Sequence, residues 1–308
     1  DEGKLMAQAD AAMYAAKRAG GNTYALFKPH MSSGADDQIA LLSDLRHAVD
    51  RGELRLHFQP KIDARRGHVS GFEALLRWQH PERGMVSPTV FIPIAERFGL
   101  IGQIGSWVID EACRQMRVWS AQGLKLRVAI NLSAQQLHQD DLADRIRHAL
   151  ERNGIGPSRL SCEITESVAM QDVDSTRRAF DALVRLGVQL SIDDFGTGHS
   201  SLGYLRSLPA TQLKIDRSFV KDIDTLDDAR AIVDAVIHLA HALGLRVVAE
   251  GVETEGQRDM LLALHCDEMQ GYLYAKPMPA DAVPRWLSDA RPAPAAPLGS
   301  RRMPLVEI

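Results

Sequence analysis

Seven polar residues stand late in segments that alternate like β-strands: Glu73, Asn131, Glu163, Asp193, Lys214, Glu250 and Gln270. In Val188-Gln189-Leu190-Ser191-Ile192-Asp193 the apolar side chains fall on one face and Gln189, Ser191 and Asp193 on the other. Glu163 shares a face with Ser161, Asn131 with Ala129, and Lys214 with Gln212 and Asp216. Singly, each has an ordinary explanation. A strand-end carboxylate caps a helix or meets solvent, Asp193-Asp194-Phe195-Gly196 makes a turn, and a lone lysine blunts a sheet edge. Together they describe a site, because burying several carboxylates, an amide and a lysine costs several kcal/mol per unpaired ion. A bound cation offsets that cost. Oxygen donors without histidine or cysteine favour a hard divalent ion, Mg²⁺ or Mn²⁺, over zinc. The neighbours Asp193 and Asp194 allow one carboxylate to bridge two ions and the other to bind the second. Such a pair suits in-line attack of water on a phosphodiester, with Lys214 as a fixed positive charge beside the water or phosphate. Gly196-Thr197-Gly198 supplies a glycine-hinged loop next to them.

The elements that must bring these residues together are legible. Strand-like runs occupy 54–62, 69–76, 126–132, 159–165, 188–193, 211–216, 246–250 and 267–272. Amphipathic helices are expected over 104–122, 134–153, 175–186, 229–243 and 255–265. Eight strands with helical crossovers predict an α/β fold, a (β/α)8 barrel whose strand ends converge at one mouth. Only Arg65-Arg66-Gly67 joins the first two strands, too little for a parallel crossover, so that pair is expected to be antiparallel. An open doubly wound sheet is the alternative. Around the barrel (38–290) lie an amino-terminal piece of one helix and one strand (1–27), a linker (28–37) and a Pro/Ala-rich tail (291–308).

Composition narrows the function. The 308 residues are 45% hydrophobic and 25% charged, and 36 Lys+Arg against 40 Asp+Glu leave a net charge of −4. Disorder throughout is excluded, and so is the basic surface of a non-specific nucleic-acid binder. No apolar run nears the roughly 18 residues of a membrane-spanning helix. The three cysteines, Cys113, Cys162 and Cys266, lack metal-ligand spacing and read as buried thiols. The eleven histidines show no HExxH spacing, and Gly-x-Ser-x-Gly is missing, which argues against zinc-hydrolase and serine-triad chemistry. The chain opens at Asp1 and reads as a piece of a longer protein. Its expected compartment is the cytoplasm, with membrane attachment through upstream segments of the parent left open.

The motifs also carry a resemblance. Glu73-Ala74-Leu75 followed by Leu76-Arg77-Trp78 is similar to the signature of the EAL-domain cyclic di-GMP phosphodiesterases. The likeness runs on through Phe91-Ile92-Pro93-Ile94-Ala95-Glu96, Asn131-Leu132-Ser133, Glu163-Ile164-Thr165-Glu166 and Asp193-Asp194-Phe195-Gly196-Thr197-Gly198. It ends with Leu213-Lys214-Ile215-Asp216, Ala249-Glu250-Gly251-Val252-Glu253 and Gln270-Gly271-Tyr272. It implies a modified TIM barrel with one antiparallel strand that cleaves cyclic di-GMP to linear pGpG with Mg²⁺ or Mn²⁺, in bacterial second-messenger signalling. By resemblance, Glu73, Asn131, Glu163 and Asp193 ligate a first ion. Asp193 and Asp194 link a second, with Glu250 close to it and to the water, and Lys214 orients or activates that water. Gln59, Leu76, Arg77, Asp216, Glu253 and Gln270 resemble substrate contacts. Glu166 resembles the brace of the loop 194–201, which in the family couples ion binding to a dimer interface and implies a homodimer. That loop commonly reads Gly-Thr-Gly-Tyr-Ser-Ser, whereas position 199 here is His, so altered loop packing or dimer coupling is expected. Upstream, the run from Ala9 to Asn22 resembles the last helix of GGDEF diguanylate cyclase domains, which implies a GGDEF–EAL parent.

Two other functions compete with catalysis. One is a receptor that holds cyclic di-GMP without cleaving it, though no ion ligand is missing. The other is an enolase-like barrel with a strand-end lysine as base; the motif series around Arg77 suits a phosphodiester instead.

Overall fold

The computed structural model describes Met13, residues 29–196 and residues 202–289. The expected GGDEF remnant apart from Met13, the loop residues 197–201 with His199, and the tail lie outside the described residues. The chain divides into two compact units, Asp1–Arg55 with Leu76–Ile104, and Leu56–Leu75 with Gly105–Ile308.

In the first unit a helix at Pro29–Ala48 packs against another at Pro88–Arg97. Residues expected as a linker are therefore helical from Pro29 onward. The second helix starts with proline at its first turn, where the missing N–H is harmless, and buries Phe91, Ile94 and Ala95. Trp78 is fully buried, edge-on to Phe91, and its indole N–H donates to Glu53 Oε2 at 2.9 Å. His80 Nδ1 accepts the backbone N–H groups of Glu82 and Arg83, so Nε2 carries the proton directed at Asp44 Oδ2.

Strand β1 (Leu54–Asp63) turns back into β2 (Val69–His80). Asp63 makes that turn: its carboxylate accepts from the N–H groups of Arg65 and Arg66. A short β3 (Gly84–Val86) pairs with the end of β2 inside the first unit. The second unit continues with β4 (Val128–Asn131), β5 (Leu160–Thr165), β6 (Gln189–Phe195), β7 (Gln212–Ile215), β8 (Arg246–Ala249) and β9 (Glu268–Met269). Neighbours from β2 through β4 to β9 pair in parallel. β1 closes the ring, hydrogen-bonded to β2 on one side and antiparallel to β9 on the other. The result is a closed eight-stranded barrel with one reversed strand, as the short Arg65-Arg66-Gly67 connection requires. A two-residue β10 (Met278–Pro279) lies against β1 outside the ring.

Alternation sorts the barrel residues. Ile130, Cys162, Ile164, Leu190, Leu213, Ile215 and Val247 are fully buried, and each contributes roughly 1.5–3 kcal/mol on leaving water. Phe58 meets Trp119 edge-on at 4.7 Å, and Trp286 meets Phe72 at 6.1 Å. The helix expected over 134–153 is two pieces, Ala134–Leu137 and Leu142–Asn153. A capping box between Ser133 and Gln136 starts the first, and a turn at Gln139 separates them.

Candidate active site

The alternate faces of these strands put a buried charge cluster inside the ring. Lys214, 1% exposed on β7, is its centre. Its Nζ lies 2.8 Å from Glu163 Oε2, 2.9 Å from Asp193 Oδ2, 2.5 Å from Glu250 Oε1 and 3.4 Å from Glu73 Oε2. Burial alone would favour the neutral amine, but Glu163, Glu250, Glu73 and Asp193 hold the ammonium form well beyond its ordinary range.

The strand register sets the acids. Asn131 is in register with Glu163, and Thr165 with Asp193. Asn131 donates its amide to Glu73 Oε1 at 2.8 Å, which leaves its own carbonyl oxygen as a donor to an ion. The other oxygen of Glu73 accepts from Gln270 Nε2 at 2.7 Å. Gln270 also donates to Gln59 Oε1 at 3.1 Å, and Gln59 to the carbonyl of Ala275. Gln270 Oε1 is buried with no partner among the described residues. A Cβ on the next residue, Gly271, would come within 2.0 Å of the Val252 carbonyl, so only glycine lets the chain leave β9 here.

Asp194 departs from the strand pattern. Its φ is 53°, β6 is irregular between Ile192 and Phe195, and its amide donates back to Asp193 Oδ1 at 2.8 Å. Carboxylate oxygens of Asp193, Asp194 and Glu250 come within 4.8 Å of one another, as do those of Glu73, Glu163 and Asp193. Asp193 belongs to both triads.

Electrostatics shows an excess of negative charge. Burial raises the pKa of Glu73, Asp193 and Asp194, and carries Glu250 up to about 8 against the pull of Lys214. Glu163 goes the other way: burial pushes it up, but Lys214 and Lys61 together bring it down to about 2. Clustered oxygen donors with more charge than the two lysines offset fit a hard divalent cation.

Glu166 is 2% exposed and accepts the N–H of Gly196 at 2.7 Å, so it holds the second residue after the Asp193-Asp194 pair. Gly196 has φ 97°, and a Cβ there would press on the Phe219 ring at 2.7 Å. Asp216 caps the short helix Arg217–Val220 through the Ser218 N–H, and its charge is felt at Asp194. Glu253 is exposed, and its backbone N–H donates to Gln257 Oε1. Leu76 and Arg77 belong to the first unit, where Arg77 Nη1 donates to the Leu76 carbonyl at 2.8 Å.

One participant escaped sequence reasoning. Lys61 on β1 is 5% exposed and donates to Glu163 Oε1 at 3.1 Å. Its signal is the shared face of Gln59 and Lys61, two residues apart. Lys61 stands late in β1, but because β1 is reversed that end lies with the amino ends of the parallel strands, so the strand-end argument gives no reason to group it with the cluster.

Comparison with known proteins agrees with this geometry. A family model described as EAL domain matches residues 42–277. The bifunctional diguanylate cyclase/cyclic di-GMP phosphodiesterase MucR of Pseudomonas aeruginosa is 50% identical over 281 residues, 91% of this chain and 41% of that protein. The cyclic di-GMP phosphodiesterase NbdA of the same organism is 41% identical over 298 residues, 96% of this chain and 38% of that one. The chain thus spans about two fifths of the length of these curated relatives. A solved structure of the PaMucR phosphodiesterase in complex with c-di-GMP superposes with a TM-score of 0.76 at 50% identity, covering 79% of this chain and 99% of that one. With the matched stretch running from before β1 to beyond β9, this chain belongs to the EAL domain family.

Proposed function

We propose that this chain is a cyclic di-GMP phosphodiesterase that yields linear pGpG with Mg²⁺ or Mn²⁺. The observation that carries the reading is Lys214 buried among four carboxylates at the mouth of an EAL barrel. The c-di-GMP complex of the 50% identical MucR domain supports the substrate.

Glu73, Asn131, Glu163 and Asp193 would hold a first ion; Asp193, Asp194 and Glu250 a second. Bound there, two such ions supply an activated water and neutralise charge developing on phosphorus. Lys214 adds a fixed ammonium that requires no reorganisation as the phosphorane charge builds. Water oxygen bonds to phosphorus, the P–O3′ bond breaks, and a proton ends on the departing 3′ oxygen. Gln59, Leu76, Arg77, Asp216, Glu253 and Gln270 are the proposed substrate contacts, Gln270 offering an acceptor without a partner. Glu166 braces the loop through Gly196, which supports coupling between the ion site and a homodimer interface. Residues 1–27 are read as the end of a GGDEF domain, 28–37 as a linker that is helical from Pro29, 38–290 as the catalytic barrel and 291–308 as a tail, in a cytoplasmic setting. The two activities in MucR's name support such a parent.

The test is incubation of the purified chain with cyclic di-GMP and Mg²⁺ or Mn²⁺, products resolved by chromatography, with EDTA as control. Metal-dependent pGpG is expected. Tight binding of intact cyclic di-GMP without product, metal present, would replace the enzyme by a receptor.

A further inference from the structure

Lys61 is the second ammonium group inside the ring, and nothing in the chemistry above uses it. It reaches Glu163 from the reversed strand while Lys214 holds the other oxygen of the same carboxylate. Glu163, with no exposure at all, thus lies between two lysines. No other carboxylate pairs with Lys61 among the described residues. Away from Glu163, Lys61 lines a cavity at the amino ends of the parallel strands, together with Arg127, Arg159, Arg246 and Glu268. Both oxygens of Glu268 are already engaged, by Arg246 and by Gln212, so the cavity offers Lys61 no second counter-charge.

The charge count gives this arrangement a consequence. The carboxylates of Glu73, Glu163, Asp193, Asp194 and Glu250 total five negative charges when ionised, and the two lysines offset two of them. One divalent ion leaves the cluster slightly negative, whereas a second makes it positive. We infer that Lys61 holds down the affinity for the second divalent ion by offsetting one carboxylate charge of the cluster. Occupancy of the second position follows the ion concentration instead of being permanent, which makes it a point of control. This inference rests on the ion site proposed above.

The experiment is a Mn²⁺ titration of the EDTA-stripped full chain, reading free Mn²⁺ by electron paramagnetic resonance. Wild type is compared with Lys61→Met, Lys61→Gln and Lys61→Arg, and circular dichroism melts establish that each is folded. Glutamine keeps an N–H donor for Glu163 while removing the charge, so it carries the test if the methionine variant does not fold. Loss of the like charge should tighten the weaker Mn²⁺ step at least about tenfold in Lys61→Gln and Lys61→Met. Lys61→Arg should stay near wild type. Unchanged or weaker Mn²⁺ binding in folded Lys61→Gln overturns the inference and leaves Lys61 as an anchor for Glu163 alone. A wild-type chain that binds no Mn²⁺ overturns the ion site itself, a distinguishable result.

Discussion

The amide of Asp194 donates to the carboxylate of its own neighbour, Asp193, at 2.8 Å. That contact accompanies a left-handed backbone at Asp194, and the two together bring adjacent carboxylates within 4.8 Å of each other and of Glu250. A regular strand would send them to opposite faces. Asp194→Gly should therefore keep the fold, with a melting temperature near wild type, and lose the second Mn²⁺ and the activity. Asp194→Val should in addition destabilise by about 1–2 kcal/mol, because a β-branched residue fits the left-handed region poorly. Thermal melts and Mn²⁺ stoichiometry check both.

Glu73 is held above its ordinary pKa chiefly by burial. Glu73→Gln should abolish turnover while leaving the metal-free fold at least as stable, by up to on the order of 1 kcal/mol, since a buried charge is removed and neighbouring amides re-pair. Asn131 can reverse its amide to meet the new N–H group. Lower metal-free stability in urea would count against this account of the cluster.

Lys214 gives the opposite sign. Lys214→Met strands up to four carboxylates without their cation, and the metal-free protein should lose about 3–5 kcal/mol at pH 7. Mn²⁺ should recover much of that stability but none of the hydrolysis. Melts with and without ion, alongside product analysis, separate the two effects.

Glu250 provides a pH signature. Its carboxyl is raised to about 8 by burial, so the ion-free protein holds this proton at pH 7 and the unfolded chain does not. A raised folded pKa means that ion-free stability from this group falls as pH climbs from the ordinary 4.5 toward 8. Ion binding must displace the proton, so Mn²⁺ affinity should rise with pH up to about 8 and then level off. Titrations in two buffers of different ionisation enthalpy would report the released proton. A flat affinity between pH 6 and 8 would remove Glu250 from the ion site.

Much of this was legible beforehand, for a physical reason. Buried strands announce themselves as short alternating or apolar runs, and each of the eight ring strands falls within such a run, from Leu54 to Met269. The reversed strand followed from the length of the Arg65-Arg66-Gly67 turn alone. What stayed hidden breaks a local pattern. The helix Pro88–Arg97 carries Pro93 inside it, and the helix beginning at Pro29 runs through Ser32-Ser33-Gly34, a composition typical of linkers. Alternation places Asp193 and Asp194 on opposite faces, and the tolerance of aspartate for positive φ is too weak a signal to reveal the kink that unites them. Lys61 was missed because strand direction, not residue type, decides which end of β1 meets the cluster.

The three cysteines are buried, as expected of thiols without metal-ligand spacing. Burial pushes the thiols of Cys113 and Cys266 up to about 12, and that of Cys162 higher still. A disulfide reagent should label none of the three in the native chain at pH 8 and all of them in guanidinium. Rapid native labelling of any one would mean that the barrel opens locally around it.

The ring closes where Ile62 meets Met269 and Asp63 meets Glu268, joining almost the first strand made to the last. During synthesis β1 therefore waits unpartnered on that side until β9 has left the ribosome. Contacts so distant in sequence form slowly, because the loop entropy is lost before they repay it. Until then β9 and β1 each present an open row of backbone donors and acceptors, able to pair with another chain. A chain cut before β9 should be sticky even though every preceding strand is intact, and its fate should depend on concentration more than on temperature.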